Sequence, residues 1–156
     1  MRSAGRDKGQ VIVEIVMILP LFLAMIFMIM ELGHIAFKTI LVNHVAYEVA
    51  RIGSLTAGDN PLTRRPGNYV RQMESALKDM LPDAKLKSRR ERTLSDPQAG
   101  KWNQDLIVTI DYPSPLVFPM SSFILANEPP PGLERIPGSR WIRANVRMPI
   151  EQPLYK

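Results

Sequence analysis

No cysteine occurs among the 156 residues. That removes a disulfide framework and any thiolate metal site. Histidine is scarce as well, with only His34 and His44. Glu31 and His34 share one helix face, a spacing that di-iron bundles use in pairs and with two further glutamates; one copy is present here. His44 and Glu48 stand at i, i+4, but the ten-residue offset turns His44 about 80° from His34. The ligand count is short for a metal. Ser114, Ser121 and Ser122 have no histidine nearby in sequence, and neither a Gly-x-Ser-x-Gly elbow nor a phosphate-binding glycine loop occurs. Aromatic residues are sparse and do not interleave with the lysines and arginines, which argues against nucleic acid as a partner despite a net charge of +5. The expectation is a chain with no catalytic, cofactor or metal site.

The scarcest feature of all is charge between Val11 and Met30, where Glu14 is the only ionisable residue. These twenty residues, at a rise of ~1.5 Å, make a helix of ~30 Å, the thickness of a bilayer's hydrocarbon core. A helix with large side chains on every face belongs in lipid rather than in a small soluble core. The preceding residues, MRSAGRDKG, carry Arg2, Arg6 and Lys8 against Asp7. Such positive flanks stay cytoplasmic, so the chain after the span is expected outside. The apolar run is longer than that of a signal peptide, and Glu31-Leu32-Gly33-His34 after it offers no small-x-small cleavage site. Retention of the apolar helix is therefore favoured.

Gly9 marks the junction of basic leader and apolar run, and Glu14 is the fifth residue after it. This resembles the processing site of type IV prepilins, cut on the cytoplasmic side after the glycine. More narrowly, the chain resembles the TadE-like pseudopilins of tight-adherence (Flp) pilus systems. The matching features are the short basic leader, Gly-x-x-x-x-Glu, Leu19-Pro20, Glu31-Leu32-Gly33 and the Ala46–Arg51 segment AYEVAR. The resemblance covers about Lys8 to Gly53. Beyond it, only Ile107–Pro113 and Ile142–Pro149 are reminiscent of the family. Gln10 replaces the phenylalanine that often begins a mature pilin, and Ile15 stands where an aromatic is common.

The resemblance implies a minor pilin or pseudopilin in the cytoplasmic membrane, not an enzyme. Prepilin peptidase would process it at Gly9–Gln10. Its partners would be other pilins, the inner-membrane assembly platform and the bilayer, and Glu14, Pro20, Glu31 and Gly33 are the residues expected to act in assembly. Two rival readings are an anchored extracytoplasmic domain unrelated to pili and a secreted module released by signal peptidase. Cleavage after Gly9, no cleavage and cleavage beyond Met30 separate the three.

Glu14 lies about 6 Å from Gln10 along a helix. It can snorkel to water, or pair with the α-ammonium that cleavage would create on a neighbour's Gln10. Glu31 follows Glu14 by 17 residues, about 25 Å along a helix. That predicts a carboxylate at the outer interface within reach of water. Gly33, Ala36, Ala46 and Ala50 are either sites of close helix approach or ordinary helix composition.

The helical pattern continues past the membrane, with Val42, Val45, Val49 and Ile52 on one face, so a single helix is predicted from about Val11 to Ser54. Pro20 cannot donate to the Val16 carbonyl and should bend it. Thr56–Gly67 reads as a loop, Asn68–Leu81 as an amphipathic helix ended by Pro82, Lys85–Thr93 as an exposed strand, and Asp96–Gly100 as a turn. Asp105–Tyr112 and Arg140–Met148 are strands, and the apolar Leu116–Leu125 is a short helix or a loop over the core. The expected fold is α+β and pilin-like: a leader (1–9), a transmembrane helix (10–33), its extramembrane continuation (34–55), and a small outer domain of one helix and antiparallel strands (56–156).

Overall fold

The structure is a computed structural model that describes residues 4–57, 68–96 and 101–150. One helix, α1 (Ala4–Thr56), runs unbroken through Gly9, Pro20 and Gly33. It begins earlier than the apolar pattern alone predicted. From Val11 to Met25 its large apolar side chains are exposed on every side, as a lipid-facing segment requires. This is the chain's one described helix long and apolar enough to cross a membrane.

The outer half of α1 is a core element. After α2 (Tyr69–Met80) come β1 (Lys85–Asp96), β2 (Lys101–Pro115), the short α3 (Ser121–Leu125) and β3 (Ser139–Pro149). The strands form an antiparallel sheet in the order β1-β2-β3, with Ile110 opposite Leu86 on one side and Ala144 on the other. On β2, Leu106, Val108, Ile110 and Tyr112 alternate inward, and Ile142 and Ala144 do the same on β3. They meet Val42, Val45, Ala46, Val49 and Ala50 of α1, with Met73 and Leu77 of α2 closing the cluster. The valine stripe thus packs inside the chain's own domain, and Ile52 at its end is half-buried. Ala46 and Ala50 lie within this core, whereas Gly33 and Ala36 are exposed. The four small residues therefore divide into two groups with different surroundings.

β2 runs beyond its sequence pattern at both ends, because cross-strand pairing recruits Lys101–Gln104 and Pro113–Pro115 as well as the β-branched centre. Trp141 is buried too, on the face of the sheet opposite Ile142. Beside it, the Asn127 side chain accepts from the Trp141 N–H at 2.6 Å and donates to its carbonyl at 2.9 Å. That covers part of the β3 edge, while β1 guards the other edge with lysines and arginines. Arg90 of β1 donates to the Ala57 carbonyl at 2.8 Å and lies 4.5 Å over the Tyr69 ring, joining the end of α1 to the start of α2. Of the expected loop Thr56–Gly67, Thr56 ends α1 and Ala57 follows it, and of the expected turn Asp96–Gly100, Asp96 ends β1; the rest of both lies outside the described residues, as do residues 1–3 of the leader and the side chains of the next five.

Gly53 is where the sheet, α2 and α1 come closest. A Cβ there would overlap Met73 Sδ and Leu106 Cδ2, both on fully buried side chains. Gly53→Ala is therefore expected to destabilise the outer domain by about 1–3 kcal/mol. Denaturant unfolding of the detergent-solubilised chain, followed by near-ultraviolet circular dichroism, checks this. An unchanged midpoint would show that Met73 swings clear at no cost.

Candidate functional site

The outer end of the apolar run and the connection between β2 and β3 meet at Glu31. Sequence reasoning put this carboxylate in contact with water. Instead it is 0% exposed. The reason is the chain that leaves β2. Glu31 Oε2 accepts from the Val117 N–H at 3.0 Å and from the Phe118 N–H at 2.8 Å, and Oε1 lies 3.3 Å from the same Val117 nitrogen. Two consecutive N–H groups thus converge on one carboxylate, the arrangement that backbone nests use for anions.

The neighbouring contacts hold this geometry. The Leu116 N–H donates to the Gly138 carbonyl at 2.9 Å, tying the loop to the start of β3. Pro119 has no N–H to satisfy. Ser121 returns both its hydroxyl, at 2.7 Å, and its N–H, at 3.3 Å, to the Phe118 carbonyl. Met120 takes a left-handed conformation with φ of 65°, rare for a side chain of that size. Phe118 stacks on Phe27 of α1 with ring centroids 5.7 Å apart and planes 16° from parallel. The 116–125 segment is therefore a loop followed by a single helical turn. It lies against the span and leaves Val117, Met120, Phe123 and Ile124 exposed, rather than lying over the core.

A second buried carboxylate, Asp111, sits on β2 directly opposite Arg143 of β3. Arg143 Nε donates to Oδ1 at 2.6 Å and Nη2 to Oδ2 at 3.2 Å. The hydrogen bond to Asp111 raises the Arg143 pKa above its ordinary value, with the carboxylate's charge adding to it and desolvation opposing. This bidentate pair fixes the β2–β3 register at that level.

The remaining residues singled out by sequence lie along α1. Gly9 is exposed, and the Gln10 side-chain amide donates to Glu14 Oε1 at 3.1 Å. Glu14 is exposed on the apolar segment. Gly33 faces open space, with no atom within 4 Å of an added Cβ. The fold joins Gln10 to Glu14 and Glu31 to Val117 and Phe118, and it leaves Glu14, Pro20 and Gly33 apart from one another on the helix. No group of three or more His, Asp or Glu side chains that could hold a metal ion occurs among the described residues, which include Glu31 and His34. Val117, Phe118 and Phe27 were missed by sequence reasoning. The available signal was a run from Tyr112 to Asn127 with no Asp, Glu, Lys, Arg or His, inside an otherwise charged domain.

A single apolar helix that crosses a membrane and then serves as the spine of a small α+β domain defines a membrane-anchored protein of pilin-like plan. Residues 9–51 match the family model of TadE-like proteins. The match covers the span and most of its outer extension, includes Gly9, Gln10, Glu14, Pro20, Glu31 and Gly33, and stops before α2. Comparison with curated proteins and with solved structures gave no match.

Glu31→Ala removes the acceptor of two buried N–H groups, at about 1–3 kcal/mol for each group left unpaired. Hydrogen exchange should quicken at Val117 and Phe118 while Val108 in mid-sheet keeps its protection. Glu31→Gln, with one acceptor oxygen, should fall between. Equal protection in all three proteins would contradict the assignment.

Proposed function

We propose that this chain is a minor pilin, or pseudopilin, of a tight-adherence (Flp) pilus. It is cut by prepilin peptidase between Gly9 and Gln10 and takes part in assembly or initiation of the filament. It sits in the cytoplasmic membrane with its N-terminus inside and its α+β domain outside. Its partners are other pilins and the inner-membrane assembly platform. The observation that carries this reading is the extent of the TadE-like match: it starts at the expected processing residue and ends within the helix that carries the outer core.

The exposed faces of α1 support it. Beyond the span, Phe37, Ile40 and Tyr47 remain exposed on the side turned away from the sheet, and Gly33 and Ala36 on that side offer close approach to another helix. Glu14 answers a different need. Cleavage after Gly9 creates an α-ammonium at Gln10. Inside a filament a neighbour's Glu14 pairs with that ammonium, offsetting the desolvation of both charges. The pairing sets the axial offset between helices, because any other offset leaves both charges alone.

Intact mass and N-terminal sequencing of the membrane-extracted protein test the processing. Gln10 is the expected first residue, and Gly9→Leu should block the cut. Met1, or a residue beyond Met30, as the native N-terminus would overturn the proposal. Glu14→Ala should insert and still be at least partly processed, because removing a charge from an apolar segment favours insertion. It should nevertheless fail to co-purify with partner pilins or to support piliation. Normal pili from that variant would leave Glu14 a snorkelling side chain. Gly33→Leu, whose Cβ would point into open space with nothing within 4 Å beyond its own helix turn, should leave thermal unfolding unchanged and weaken the same co-purification. A loss of fold would instead place Gly33 in the chain's own packing.

A further inference from the structure

The segment from Leu116 to Leu125 carries apolar side chains that its own domain does not use. Phe123 is 90% exposed, and Val117, Met120 and Ile124 are each exposed by more than half. On a water-facing domain that would be a liability. Three observations place it elsewhere. Phe118 stacks on Phe27, and Phe27 belongs to the apolar run, about 4.5 Å short of Met30 along the helix axis. The segment therefore lies level with the outer end of the span. Second, no charged residue occurs from Tyr112 to Asn127. Third, its backbone is self-sufficient where a non-helical chain is most exposed. The Leu116, Val117 and Phe118 N–H groups all have protein acceptors, and Pro119 has none to satisfy. Irregular backbone at membrane depth requires that condition, because lipid supplies no acceptors.

We propose that the 116–125 segment is a second membrane-contacting element. It is a wedge whose Val117, Met120, Phe123 and Ile124 side chains lie among the acyl chains of the outer leaflet beside α1, and whose depth is held by Glu31. Its partner is the lipid of the membrane that α1 crosses. Glu31 takes the place that water would hold for the two leading N–H groups, which lets the loop leave the aqueous phase. The domain thereby touches the bilayer at two points, the span and the wedge, and two points fix its rotation about the α1 axis. The inference rests on α1 spanning a bilayer and is independent of a role in pili.

The cysteine-free chain allows a direct test. Full-length protein with a single cysteine is reconstituted in phosphatidylcholine vesicles and labelled with an environment-sensitive fluorophore. The positions are Phe123→Cys in the wedge, Ile18→Cys in the span and Ser75→Cys on the exposed side of α2. Quenching is read with nitroxide on the upper acyl chain and with aqueous iodide. Positions 123 and 18 should be quenched by the lipid nitroxide and shielded from iodide, with the reverse at 75. Glu31→Ala should move position 123, and not 18, toward iodide. A lipid-quenched 18 beside an iodide-quenched 123 overturns the wedge and leaves the span intact. An iodide-quenched 18 overturns both. A position 123 shielded from both quenchers overturns the lipid assignment in favour of a protein partner, and one unmoved by Glu31→Ala removes Glu31 as the depth anchor.

Discussion

The close fit of α1 to the sheet is the contact on which the outer domain stands. Valines at 42, 45 and 49 alternate with Ala46 and Ala50, and the small side chains let β2 and β3 lie against the helix. Gly53 allows the nearest approach, with Met73 and Leu106 filling the space a side chain would take. The three-stranded sheet and the twelve-residue α2 both turn their apolar faces onto α1. The helix that anchors the chain also supplies the core, so the domain's packing and its attachment to the membrane cannot be separated by mutation along residues 42–53.

Much of this plan was legible from residues alone, for reasons that differ by element. The span was visible because lipid demands an unbroken apolar run, and Glu14 was the only interruption. The outer half of α1 showed its buried face through three-four spacing, and β2 and β3 through alternation and β-branching. Local pattern was decisive there because each element buries one face. It failed where a contact joins residues distant in sequence. Glu31 and Val117 are separated by 86 residues, and no local period links a helical carboxylate to the N–H groups of a loop. The burial of Trp141 escaped local pattern for a related reason: it lies on the other side of the sheet from Ile142, where Asn127 binds its backbone.

The two buried carboxylates show different solutions to one problem. Asp111 is paired with a guanidinium across the sheet, so both charge and hydrogen-bonding capacity are met by one side chain. Glu31 is met by backbone N–H groups at the point where the chain leaves β2. The first arrangement locks register between strands. The second determines where a loop lies against a helix, and it commits that loop to the level of the span's outer end.

Pro20 gives the molecule a joint with a long arm. The Val16 carbonyl lacks its usual donor there, so the helix bends more readily at that level than elsewhere. Thr56 lies 36 residues further on, about 54 Å along the axis, and a change of about 10° at the joint swings it sideways by about 9 Å. The Glu31 contact and the whole core sit beyond Pro20 on the same arm, so they travel together. Small changes of angle at Pro20, midway along the apolar run, therefore become large displacements of the sheet relative to the N-terminal end of α1.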